Sequence, residues 1–134
     1  MRAPSSQRAR DAGRAEGRKM TEGQRQEDID RILRAQADNG GKFWSTPDGG
    51  IAKGSPFSTL ECGIMLSELG YDLRSAEMRG IADLAFGNMR EDGRIKVFAS
   101  GTVYPCQTAL AARVLCYLGH SEDQRLAKTY EHFL

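Results

Sequence analysis

The feature that most constrains this chain is an internal repeat. Pro56 and Pro105 stand 49 residues apart, and so do Thr59 and Thr108, Leu66 and Leu115, Leu69 and Leu118, and Gly70 and Gly119. A helix opened by Pro-x-x-Thr and closed by Leu-Gly is therefore written twice, in register. The segments that follow keep the spacing, with Ile81 matching Tyr130 and Leu84 matching Phe133. Connectors match at an offset of 52: Gln36 and Gly40-Gly41-Lys42-Phe43 correspond to Asn88 and Asp92-Gly93-Arg94-Ile95. The unit is two helices and a Gly-rich loop, and such units bury their apolar faces only by stacking.

Helical spacing runs through the chain from residue 20 onward. Ile29, Ile32, Leu33 and Gln36 fall on one face of a helix predicted over 24–38, which Asn39-Gly40-Gly41 stops. Pro56 suits the first turn of a second helix, with Ser55 as its cap and Gly70 as its end. A third helix is predicted over 75–89, a fourth from Pro105 to Gly119, and a fifth from Ser121-Glu122-Asp123 onward. Lys96-Val97-Phe98 reads as a short extended piece without a partner strand. The fold class is all-α.

Charge divides the chain. Residues 1–19 carry a surplus of four positive charges, although the 134 residues together carry only +1. The leading stretch has little to bury, so residues 1–22 are expected to form a disordered basic extension and 23–134 the folded part. Met20 offers a second start, which would make the extension non-functional; a basic tail seeking RNA or a membrane and a transit peptide are the alternatives. The near-neutral total excludes a whole-chain basic field for nucleic acid. No apolar run is long enough for a membrane span, and no apolar segment follows the basic start as in a signal peptide. Cys62, Cys106 and Cys116 form no CxxC pair, which favours reduced thiols and a cytoplasmic location.

The segments Ile32-Leu33-Arg34-Ala35-Gln36…Gly40-Gly41-Lys42-Phe43-Trp44, Arg90-Glu91-Asp92-Gly93 and Tyr104-Pro105-Cys106-Gln107-Thr108 resemble the helical-hairpin repeat of the prenyltransferase and squalene-cyclase superfamily. The first is similar to its Gln…Gly-x-Trp signature, and the resemblance spans residues 24–134. It implies an α/α toroid of inner and outer helices, of which this chain would hold about two hairpins. The expectation is thus a truncated arc, whose missing repeats belong to a longer chain or whose uncovered flanks self-associate.

By the same resemblance, the N-terminal ends of the inner helices face the central cavity. Those ends are Ser55-Pro56-Phe57-Ser58-Thr59 and Tyr104-Pro105-Cys106-Gln107-Thr108. Cyclases of the superfamily place an Asp-x-Asp-Asp cluster before the equivalent Thr, and protein prenyltransferases place a zinc-binding His immediately before it. Neither is present: Gln107 takes the His position, and a neutral amide is a poor zinc ligand. The candidate ligand-binding residues are therefore Phe57, Ser58, Tyr104, Cys106 and Gln107. No catalytic residue, metal ligand or cofactor is assigned.

Other residues carry less. Cys62, Cys106 and His120 match no zinc spacing, and Cys106 at a helix start is either a thiol of lowered pKa or a small packed side chain. His120 reads as a solvated cap residue. Phe43, Trp44, Phe57, Phe98 and Tyr104 suit either an apolar cavity for an isoprenoid or the packing of loops on helices. Asp38, Asp48, Asp72 and Asp92 belong to turns. Two functional classes follow: an isoprenoid or other apolar-ligand protein of the cyclase or prenyltransferase type, and a non-catalytic helical-repeat module for protein–protein interaction.

Overall fold

The computed structural model describes residues 20–54 and 56–134, and among them it is all-helical. Five helices follow one another: α1 (Glu22–Arg34), α2 (Thr59–Glu68), α3 (Ala76–Gly87), α4 (Pro105–Tyr117) and α5 (Gln124–His132). One isolated antiparallel bridge, Met89 to Ile95, is the extended structure among the described residues. The expected basic extension over 1–22 is corrected at its end. Glu22 opens α1 and Thr21 caps it, while residues 1–19 lie outside the described residues.

Side chains at the helix starts set the boundaries. Thr21 Oγ1 accepts from the Gln24 N–H at 3.1 Å, and Gln24 Oε1 accepts from the Thr21 N–H at 3.3 Å. This capping box satisfies donors that the first turn leaves unpaired, so α1 starts earlier than the apolar spacing suggests. It also stops earlier, at Arg34 rather than residue 38. The Gln36 carbonyl is taken by the Trp44 N–H at 2.8 Å, which pulls the chain out of the helix and into the first connector.

The start of α2 needs a second correction. Pro56 precedes the helix instead of opening it, and Ser58 is the cap, its Oγ accepting from the Glu61 N–H at 3.4 Å. The Leu60 N–H is satisfied from outside by the Ile51 carbonyl at 3.0 Å. In α4 the proline does occupy the first turn, as expected. Ser75 and Asp123 cap α3 and α5.

The repeat in the sequence is also a repeat of hydrogen bonds. Beyond α2 and α4, Gly70 and Gly119 adopt φ of +76° and +94°, the left-handed turn that suits glycine. The next N–H, of Tyr71 or His120, then reaches back to Leu66 or Leu115 at 2.9 Å in both cases. In the connectors, Trp44 N–H to Gln36 O is matched by Lys96 N–H to Asn88 O, at the offset of 52. Thr59 Oγ1 donates to Phe43 O at 2.8 Å, and Thr108 Oγ1 accepts from Ile95 N–H at 3.1 Å. Each threonine thus ties its helix to the same point of its connector.

α2 and α4 pack against each other, with α1 on α2, α3 on both, and α5 on α4. Val114 meets Gly63 and the Tyr117 carbonyl meets Ser67, so the contacts ascend together and α2 and α4 run parallel. Ile29, Ile32, Leu60, Leu66, Ile81, Val114, Leu115 and Leu126 fill the space between the layers. The connectors add Trp44, Ile51, Ile95 and Val97, all buried. Val97 O accepts from the N–H groups of Ile51 and Ala52 at 2.9 and 3.2 Å. The segment read as unpartnered therefore pairs with the other connector.

Candidate functional site

Because α2 and α4 are parallel, their N-terminal ends lie at the same end of the molecule, and the five candidate residues sit there. Their environments differ. Ser58 is buried, and beyond capping α2 its hydroxyl donates to Glu61 Oε1 at 3.0 Å. Gln107 is half-buried, and its Oε1 accepts from the Tyr104 N–H at 3.2 Å. Phe57 packs half-buried against the core while its carbonyl accepts from Asn39 Nδ2 at 2.7 Å. Tyr104 and Cys106 remain exposed. Two of the five are thus occupied by capping, one by packing, and two face solvent.

A second set of residues is presented more uniformly. On α2, Glu61, Ile64 and Glu68 stay exposed or half-exposed; on α4, Leu110, Arg113 and Tyr117 are exposed. Each trio has the i, i+3, i+7 spacing of one helix face, and the trios are related by the offset of 49. This shared face alternates acids, apolar groups and a base across two parallel helices. Arg113 lies 5.5 Å from the centre of the Tyr117 ring and 3.5 Å from its hydroxyl. The Tyr117 hydroxyl, and more weakly the Glu68 carboxylate, favour the charged guanidinium. These residues were not singled out in the sequence, although the 49-residue offset applied to exposed positions identifies them.

A shallow open groove of about 400 Å³ lies where the end of α3 meets the start of α5. Phe86 and Met89 contribute apolar surface to it, Arg90, Arg125 and Lys128 positive charge, and Glu91 negative charge. The Arg125 guanidinium stacks 3.5 Å over the Phe86 ring and binds both oxygens of Asp123, at 3.0 and 2.8 Å. That side-chain bond and the Arg125 N–H hold the Asp123 carboxyl well below its usual range. His120 is half-buried with its ring edge-on to Phe86 at 5.5 Å, and is therefore packed rather than simply solvated. The groove is not lined by any of the five candidate residues.

The three thiols are free and differ in exposure. Burial, and then the neighbouring Glu61, push the Cys62 thiol up to about 12, whereas Cys106 and Cys116 are exposed. Among the described residues, no three His, Cys, Asp or Glu side chains gather as a metal site. Asp72 and Asp92 accept from the N–H two residues onward, at 2.9 and 3.1 Å, which is the turn role expected of them. No described helix is long and apolar enough to cross a membrane. Compared with known proteins, the chain is matched by no family model, no curated protein and no solved structure.

Proposed function

We infer that this chain is a non-catalytic binding module built of toroid-type helical hairpins, akin to the prenyltransferase and squalene-cyclase repeat. The observation that carries the reading is the shared face of α2 and α4, where Glu61, Ile64 and Glu68 stand in register with Leu110, Arg113 and Tyr117. A strong acid for alkene protonation needs a desolvated site, and both glutamates are exposed to water. A carbocation formed on an open face would be quenched by solvent. Binding asks for less: apolar contacts, with charges that fix orientation.

The ligand that matches this face is a protein segment with apolar side chains flanked by both signs of charge. A purely isoprenoid chain would leave Glu61, Glu68 and Arg113 without counterparts. The apolar-ligand reading draws support from Tyr104, Leu110 and Tyr117, which are exposed along α4. Selection of a peptide library on the full chain tests the proposal, with farnesyl and geranylgeranyl diphosphate titrated in parallel. Peptides whose affinity falls at least tenfold in both Leu110→Asp and Tyr117→Ala support it. Binders indifferent to both substitutions, or a diphosphate that binds where no peptide does, would overturn it.

A further inference from the structure

The groove between the end of α3 and the start of α5 has a counterpart in the preceding hairpin, between the end of α1 and the start of α3. Offsets of 52 and 49 take Phe86, Met89 and Arg90 back to Arg34, Ala37 and Asp38, and Arg125 and Lys128 back to Ala76 and Arg79. At that earlier place the chain supplies an aromatic ring of its own. Phe43 lies against Gly80 and shares with Ala37 the lining of a smaller cavity of about 260 Å³. The counterpart of Phe43 in the second connector is Ile95, which is fully buried and does not line the groove. The apolar floor of Phe86 and Met89 and the cation at position 90 are therefore not features that the hairpin scaffold requires.

The second groove is also charged in a particular way. Both of its walls are made by described residues, and its floor is held in place. Phe86 is buried under the Arg125 guanidinium, which Asp123 fixes through both carboxylate oxygens. That pair is neutral in itself. Arg90 and Lys128 are exposed, and among the described residues neither has an ion-pair partner. Glu91 lines the same groove without pairing to either of them. Two cations without partners thus stand over an apolar floor, with one carboxylate beside them.

We propose that this groove binds a short acidic peptide segment, with an aromatic side chain on Phe86 and Met89 and carboxylates on Arg90 and Lys128. A shallow open groove cannot enclose a small molecule, whereas a peptide extends past its edges and draws on several contacts at once. A carboxylate can take two parallel N–H bonds from the Arg90 guanidinium and a point charge from Lys128. Phe43 on Gly80 is the internal precedent for an aromatic ring placed between consecutive hairpins. Glu91 disfavours a nucleic-acid strand, whose repeating phosphates need a continuous run of cations. The site shares no residue with the face of α2 and α4 and does not depend on the function proposed for it.

The probe is a fluorescein-labelled peptide, Gly-Asp-Glu-Phe-Asp-Gly, titrated into the full chain and read by anisotropy. Saturable binding is expected, weakened about tenfold by Arg90→Glu and by Lys128→Glu and strengthened by Glu91→Gln. Both reversals are at exposed side chains, and the thermal midpoint of each variant confirms that it folds. The same peptide with Asn and Gln in place of its acids should bind at least tenfold more weakly, and so should one with Ala in place of Phe. No saturable binding at millimolar peptide would overturn the proposal, as would binding indifferent to both reversals. Loss of binding in Leu110→Asp in their place would put the peptide on the other face and overturn it too. A labelled oligothymidylate that binds more tightly than the peptide and is lost with Arg90→Glu would make the occupant a nucleic acid and overturn the peptide reading.

Discussion

Gly80 of α3 lies directly under the ring of Phe43, so close that a Cβ at position 80 would collide with three ring carbons. The contact joins α3 to the first connector at a point where the connector cannot easily move. Phe43 and Trp44 hold φ of +50° and +62°, a left-handed conformation that costs bulky residues about 1 kcal/mol or more each. Gly80→Ala should therefore destabilise the fold by about 1–3 kcal/mol through overpacking, despite alanine's better helix propensity. Chemical denaturation of the two proteins gives the difference. An unchanged midpoint would show that the connector yields.

Trp44 is the one tryptophan of the chain and is fully buried, with its Nε1–H donating to the Ile32 carbonyl at 2.9 Å. Trp44→Phe removes that bond and leaves unfilled volume between α1 and the connector. The expected cost is about 2–3 kcal/mol, measured by circular dichroism melting. In the unaltered protein, blue-shifted tryptophan emission should turn red in a single step with unfolding.

Asp123 makes acid stability sensitive to one half-buried carboxylate. Its pKa is depressed in the folded protein, so its contribution is present at neutral pH and lost as pH falls below about 4 toward the folded value. Asp123→Asn keeps a capping side chain but removes the charge facing Arg125. The variant should melt lower than the parent at pH 7, and the gap should narrow as the parent is acidified toward pH 2. A gap that stays constant with pH would mean that the charge contributes nothing.

Thiol chemistry should separate the cysteines. Cys106 and Cys116 are exposed, whereas Cys62 is buried with its thiolate disfavoured. An aromatic disulfide reagent should titrate two thiols quickly in the native protein and the third only with unfolding. Cys62→Ser should leave the fast amplitude unchanged, and Cys116→Ser should halve it.

The number and order of the helices were legible because they rest on periodicity and on Leu-Gly ends whose φ only glycine adopts easily. The start of α2 was not, because Pro56 and Ser55 form as good a local signal as Ser58. What decides between them is distant: the Ile51 carbonyl reaches the Leu60 N–H from another segment. Phe43 and Trp44 gave no hint of their left-handed backbone, which follows from burying the Trp44 ring against α1. The candidate site was read at helix ends, where the family resemblance directs attention. Tyr104 and Cys106 are exposed there, but the face of Glu61, Ile64, Glu68, Leu110, Arg113 and Tyr117 is a pattern that needs the burial of both helices to be known.

The bonds from Ile51 and Ala52 to Val97 have a consequence for cooperativity. Stacked hairpins that touch only their neighbours can melt one at a time, from the ends inward. Here the two loops are laced together, and Asn88 Nδ2 adds a further link to the Gly49 carbonyl at 3.2 Å. Opening either hairpin exposes the backbone of the other. Amide exchange should accordingly report one protected unit spanning 43–115, in place of two that open independently.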